Sequence, residues 1–131
     1  MGISDANFAA TKVTASADGL AHARQFTRCH LLRWGLEGTV VDDVTSVMGE
    51  LTANAVRHTP TAEDGAWLAL ATSPRTVVCI VLDPSPQQPA PRTADYPATD
   101  GRGLTVVAGL SAVWGWSPQG QGKAVWARIL I

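Results

Sequence analysis

At 131 residues the chain has the length of one domain with a sizeable core. Its formal charge is −1 and its ten Lys and Arg are scattered, which excludes a protein that holds nucleic acid by neutralising phosphates. The longest apolar runs, 66–71 and 77–82, are far too short to cross a bilayer.

No basic patch followed by an apolar stretch opens the chain. Ala6 stands where a myristoylation signal has Ser or Thr, so the expectation is a cytoplasmic protein. Cys29 and Cys79 fall inside predicted elements. Each reads as a small buried hydrophobe and not as half of a disulfide.

In chain order, Phe8–Thr14 carries β-branched residues and predicts a first strand. Asp18-Gly19 is a turn signal. From Leu20 to about Trp34 the apolar residues Leu20, Ala23, Phe26, Leu31 and Trp34 recur near the helical period, and Gly35 and Gly38 are stop signals. A second helix is predicted from about Val40 to Arg57. Val41, Val44, Met48, Leu51 and Ala55 make one apolar stripe along it. Asp42 and Asp43 suit its positive end and Arg57 its negative end, and Thr59-Pro60 closes it.

Ala66–Ser73 and Thr76–Leu82 read as an antiparallel pair of strands around Ser73-Pro74-Arg75. The second is nearly all apolar and predicts a central strand buried on both faces. The segment Pro84–Asp100 holds five of the eight prolines and reads as a long loop, functional or disordered. Gly101-Arg102-Gly103 then opens a short helix, Leu104–Ala112. Strands at Ala112–Trp116 and Lys123–Ile131 follow, joined by a turn at Ser117–Gly122. The order predicts an α+β fold: a mostly antiparallel sheet with helices gathered on one face.

Several chemistries fail on spacing. Gly122-Lys123 has Ser117 where a phosphate loop needs glycine, and Ala124 replaces the magnesium-binding hydroxyl. Val106 breaks the dinucleotide fingerprint after Gly101-x-Gly103. No Gly-x-Ser-x-Gly elbow is present. His22, Cys29 and His30 lack metal-ligand spacing and read as structural or surface residues.

Three features remain. Glu50 and Asn54 are one helical turn apart and share a face, beside the apolar stripe. A carboxylate there can take a proton from an attacking hydroxyl near a nucleotide phosphate, and an amide oxygen can ligate magnesium. Asp83 stands where a buried strand runs out, and can accept a hydrogen bond from an exocyclic amine such as that of adenine. Gly101-Arg102-Gly103 at a helix start offers backbone N–H groups and a guanidinium to an anion. Alone, each also reads as something plainer: a solvated helix face, a turn residue before proline, a loop that needs flexible angles.

In this order, Glu50-x-x-x-Asn54-Ala55-x-x-His58, Asp83 and Asp100-Gly101-Arg102-Gly103-Leu104 resemble the N box and the two glycine boxes of the GHKL ATPase superfamily. That superfamily contains gyrase B, a class of heat-shock chaperones, histidine kinases and MutL. The segment Gly101–Leu104, with Val107, Leu110-Ser111, Trp114-Gly115 and Gly122-Lys123-x-Val125-Trp126-Ala127, is similar to the small single-domain branch. That branch comprises anti-sigma-factor serine kinases and related ATP-binding regulators of actinobacteria. The resemblance covers roughly residues 15–131 of a single domain spanning 1–131.

It implies a Bergerat fold, a two-layer α/β sandwich with ATP and magnesium between helices and sheet. By motif position, Glu50 would be the general base and Asn54 the magnesium ligand. Asp83 would hold the adenine amino group. Gly101, Arg102 and Gly103 would touch phosphates or hinge a lid formed by 84–100, and Arg57 or His58 would reach a phosphate. Two departures stand out. The first glycine box reads Asp83-Pro84-Ser85-Pro86-Gln87, with no glycine. Lys123-Ala124 occupies the neighbourhood where many members carry an adenine-binding Thr. Lys123 then either reaches a phosphate or stands as a solvated strand-end lysine. The resemblance implies a regulator with serine/threonine kinase activity toward a protein partner, a sigma factor or an anti-sigma antagonist, and allows a homodimer. The alternative is a nucleotide-binding or degenerate module that transfers no phosphoryl group and works by partner contact.

Overall fold

The computed structural model describes residues 6–57, 65–84 and 98–131. Five strands and three helices form two layers. The strands are β1 (Asn7–Val13), β2 (Ala66–Ser73), β3 (Thr76–Asp83), β4 (Val113–Gln119) and β5 (Gly122–Leu130); the helices are α1 (Ala17–Arg33), α2 (Thr39–Arg57) and α3 (Ala98–Leu110). The sheet order is β1-β2-β3-β5-β4 and every pairing is antiparallel. This is the predicted α+β sandwich, with α2 packed between α1 and α3 on one face of the sheet. No described helix is long and apolar enough to cross a membrane.

The apolar stripe of α2 explains the layering. Val41, Val44, Met48, Leu51 and Ala55 are all buried, and they meet Leu68 and Leu70 of β2 and Val77, Cys79 and Val81 of β3 in one core. Period 3.6 on the helix and period 2 on the strands bring these two apolar surfaces face to face. Arg28 of α1 donates to the Asp42 carboxylate at 3.0 Å, an exposed contact joining the first two helices. Exposed pairs of this kind add little stability, about 0–1 kcal/mol.

Four expectations need correction. The central strand β3 is buried on its helix side only; Leu82 on the other side is 44% exposed. The outer sheet face also leaves Phe8 and Trp67 exposed. An apolar run therefore did not mean two covered faces here. Asp18-Gly19 is not a turn but the first turn of α1. The Ser16 hydroxyl accepts the Gly19 N–H at 3.1 Å and caps the helix. Cys29 is exposed, whereas Cys79 is buried; both are free thiols. Finally, β4 continues through Pro118 to Gln119, where a turn was expected. A proline is tolerated there because β4 is an edge strand with no neighbour to receive its missing N–H.

Helix α1 stops where predicted. Trp34 caps it and Gly35 takes a φ of 92°, a backbone region in which a side chain is strained. The chain then reverses into α2.

Candidate functional site

Connectivity gathers the functional elements at one end of the sandwich. The strand β1 ends at Val13, and only residues 14–16 separate it from α1, so α1 begins at that end. It runs about 25 Å away and α2 runs about 28 Å back, at 1.5 Å per residue. The last turn of α2 thus returns to the end where β1 finishes. The register Val13↔Ala66 and Trp67↔Leu82 puts the start of β2 and the finish of β3 there too. At the opposite end, α3 finishes at Leu110 and β4 starts at Val113, held by the Ala112 N–H to the Arg128 carbonyl at 2.8 Å. The N-terminus of α3 therefore points back toward the first end. Its first N–H groups, which have no intrahelical partner, and its positive dipole face the same region as the C-terminal half of α2.

On α2, Glu50 and Asn54 are half-buried. Gly49 lies against the Arg24 side chain of α1. Successive helical residues are 100° apart, so the Glu50/Asn54 stripe falls on the other flank, toward which α3 packs. One turn on, Arg57 Nη1 donates to Asn54 Oδ1 at 3.0 Å in an exposed setting. The amide oxygen expected to face a metal is thus oriented by its own helix, in reach of solvent. It is a hard oxygen donor of the type magnesium prefers.

The sheet half is different. Asp83 and Lys123 stand directly opposite each other in the β3–β5 ladder, on the helix side of the sheet. Lys123 Nζ forms an ion pair with Asp83 Oδ2 at 2.9 Å, and the two side chains are 0% and 1% exposed. The expectation of a solvated strand-end lysine is overturned. Lys123 is the largest fully buried side chain described. Its neighbour Gly122 makes the approach possible, since a Cβ there would overlap the Asp83 carbonyl. Where the resemblance implies an adenine amino group at Asp83, the protein itself supplies an ammonium.

The second glycine box also differs from expectation. Gly101, Arg102 and Gly103 do not open a helix that begins at Leu104; they lie within α3, which starts at Ala98. Gly101 follows the first three helical residues, so its N–H is still among the four without an intrahelical partner. The side chains of 98–103 fall outside the described residues, as do His58 and segment 85–97 of the expected lid. Among the remaining candidates, His30 Nδ1 pairs with the Phe26 carbonyl at 2.9 Å and its ring lies between those of Phe26 and Trp34, a structural placement.

Sequence reasoning missed the Asp83–Lys123 pair. A signal existed in Gly122-Lys123 opening the last strand, but only the strand register shows which carboxylate lies opposite. A cavity of about 470 Å³ at this end is lined in part by Trp67, Leu82 and Gln119. Asp83 and Lys123 of the helix side border it as well as the outward-facing Trp67 and Leu82, so it lies at the end of the sheet, across both faces. Buried on the helix side of β3, Cys79 has its thiol pushed up from 9.0 to about 12 by desolvation.

Comparison with known proteins agrees with this architecture. The family described as "Histidine kinase-like ATPase domain" matches residues 13–129. A search of curated proteins finds no match. Among solved structures, the chain is similar to the RsbU and RsbW domains of Rv1364c from Mycobacterium tuberculosis, with a TM-score of 0.71 and 17% identity. That match covers 95% of this chain and 32% of the other, so the chain spans about a third of that protein's length. It is also similar to a chain of the SiaB–SiaC complex from Pseudomonas aeruginosa, with a TM-score of 0.60, 15% identity, and coverage of 94% and 89%. At these identities the likeness concerns the fold.

Proposed function

The chain belongs to the histidine kinase-like ATPase domain family, and from that premise we propose that it is an ATP-binding regulator acting on a protein partner. The observation that carries this reading is the convergence of the Glu50/Asn54 stripe of α2 with the N-terminus of α3 at one end of the sandwich. A carboxylate, an amide oxygen and a positive helix end are the groups a nucleoside triphosphate with magnesium requires.

In this reading Asn54 would hold the magnesium, which when bound supplies positive charge against the phosphates. Glu50 accepts the proton of a partner Ser or Thr hydroxyl as its oxygen bonds to the terminal phosphorus of ATP, while the bond from that phosphorus to the β–γ bridging oxygen breaks and ADP leaves. The α3 N-terminus, with Gly101, Arg102 and Gly103, stabilises the phosphate oxygens through backbone N–H groups and the guanidinium. Arg57 orients Asn54 at present and stands one turn from it, in position to shift to a phosphate. The resemblance of Gly101–Leu104 and the motifs after it to the single-domain anti-sigma-factor kinases supports an anti-sigma-type role, with a sigma factor or its antagonist as partner.

The test is transfer from labelled ATP, with magnesium, to proteins captured from the cytoplasm in which the chain is made. Glu50→Ala is expected to abolish transfer and to leave binding intact; transfer that survives Glu50→Ala contradicts the kinase assignment. A second reading, a module that binds but transfers nothing, is favoured by the closed Asp83–Lys123 pair and the glycine-free 83–87 segment. Nucleotide binding without transfer to any partner decides for it.

A further inference from the structure

We propose that Lys123 is a specificity-determining residue that takes the place of a nucleobase amino group at Asp83, so that the protein binds nucleoside triphosphates without distinguishing a 6-amino from a 6-oxo purine. This rests on the nucleotide-binding reading above and concerns only how the base is read.

The register comes first. Asp83 and Lys123 are cross-strand partners on the same face of an antiparallel ladder, so their meeting is set by backbone pairing and not by a chance rotamer. The close packing of Gly122 on the Asp83 carbonyl holds the strand ends together. Burial comes second. With side chains 0% and 1% exposed, neither charge has water to turn to if the other leaves. Chemistry comes third. The lysine meets the carboxylate as a buried ion pair at 2.9 Å, a contact between two full charges. The exocyclic amine of adenine is a neutral donor. Because the Asp83 side chain is 1% exposed, the amine reaches either carboxylate oxygen only by opening the pair and leaving a buried ammonium without its counter-ion, which is strongly unfavourable.

The charge of the carboxylate that would read the base is thus paired from within. Recognition passes to the groups that remain accessible: the Asn54 amide, the Glu50 carboxylate and the N-terminus of α3, all suited to the triphosphate and its metal. Those groups see the same chemistry in ATP and in inosine triphosphate, which differ only at the base edge, where a 6-oxo group and an N1–H replace the 6-amino group and the N1 acceptor.

The experiment is calorimetric titration of the wild-type chain with ATP and with inosine triphosphate, both with magnesium, alongside Lys123→Thr. Wild type is expected to bind the two within about threefold. In Lys123→Thr the freed carboxylate accepts the adenine amine, and ATP should be preferred by roughly tenfold to a hundredfold, the value of one hydrogen bond to a charged group. If wild type binds neither triphosphate at millimolar concentration and Lys123→Thr binds ATP, the lysine closes the site outright and the inference of indiscriminate binding is overturned. A tenfold or greater wild-type preference for ATP overturns the inference alone and leaves nucleotide binding intact. A variant that folds and shows no gained preference does the same. Absence of binding in both proteins overturns the inference together with the nucleotide reading. The wild-type comparison needs no variant, so a Lys123→Thr chain that fails to fold does not shield the inference from it.

Discussion

The two halves of the site treat their charged groups in opposite ways. On α2, Glu50 and Asn54 are half-buried, and the Asn54 amide oxygen is met by an arginine from the same helix in an exposed contact. On the sheet, Asp83 and Lys123 meet across two strands and are sealed from solvent. A group kept for a ligand must stay within reach and be only loosely satisfied. A group satisfied inside a core has become part of what holds the fold together. The helix half therefore keeps its polar groups within reach of solvent, while the sheet half buries its charges against each other.

The largest effect expected from breaking this contrast is on stability. Lys123→Met leaves a buried carboxylate without its cation and should cost about 3–5 kcal/mol in urea unfolding. Adding Asp83→Leu to that variant should return most of the loss, because two apolar side chains then face each other in an apolar setting. On the helix half, Glu50→Gln should change stability by no more than about 0.5 kcal/mol, as expected for a partly exposed polar residue. A Lys123→Met chain as stable as wild type would mean the sheet pair contributes nothing, and the contrast would collapse.

A smaller effect follows from Gly122. An added Cβ would overlap the Asp83 carbonyl, so Gly122→Ala should push the strand ends apart and cost about 1–3 kcal/mol. Unchanged thermal unfolding in this variant would show that the strand ends are not so tightly joined.

The division between what the sequence reveals and what it hides follows the same line. The helix α2 was legible because its apolar stripe repeats over many turns and Thr59-Pro60 marks its end. The β2–β3 hairpin was legible from two apolar runs around Ser73-Pro74-Arg75. Glu50 and Asn54 were legible as a pair because one helical period relates them. Asp83 and Lys123 were each singled out, but their pairing depends on a register between strands that are distant in sequence. No local pattern encodes that. The start of α1 was missed because Asp18-Gly19 imitates a turn, although Ser16 followed by an acidic first turn was the signal for a capped helix. The outer sheet face was misjudged because a half-buried strand can be apolar on both sides.

The smallest effect sharpens the contrast by measuring how tightly the sheet half is sealed. Cys79 lies on the same face of β3 as Asp83, and burial raises its thiol from 9.0 to about 12. An acid whose folded value is raised contributes stability in full below its unfolded value, and that contribution falls away as pH climbs. Unfolding free energy should accordingly decline between pH 9 and about 12. A Cys79→Ala chain should show a shallower decline. At pH 8 a thiol reagent should modify the exposed Cys29 quickly and Cys79 only as fast as the protein opens. Equal rates at both thiols would mean the sheet half is not sealed.

The most direct test of the central claim is a calorimetric titration of ATP with magnesium into wild type and into Asn54→Ala. If the open stripe of α2 is the triphosphate wall, wild type releases or absorbs binding heat and Asn54→Ala loses at least roughly tenfold in affinity while remaining folded, in keeping with the cost of removing a charge-assisted or metal-directed contact. Identical binding by the two chains, or no binding by either, would contradict it.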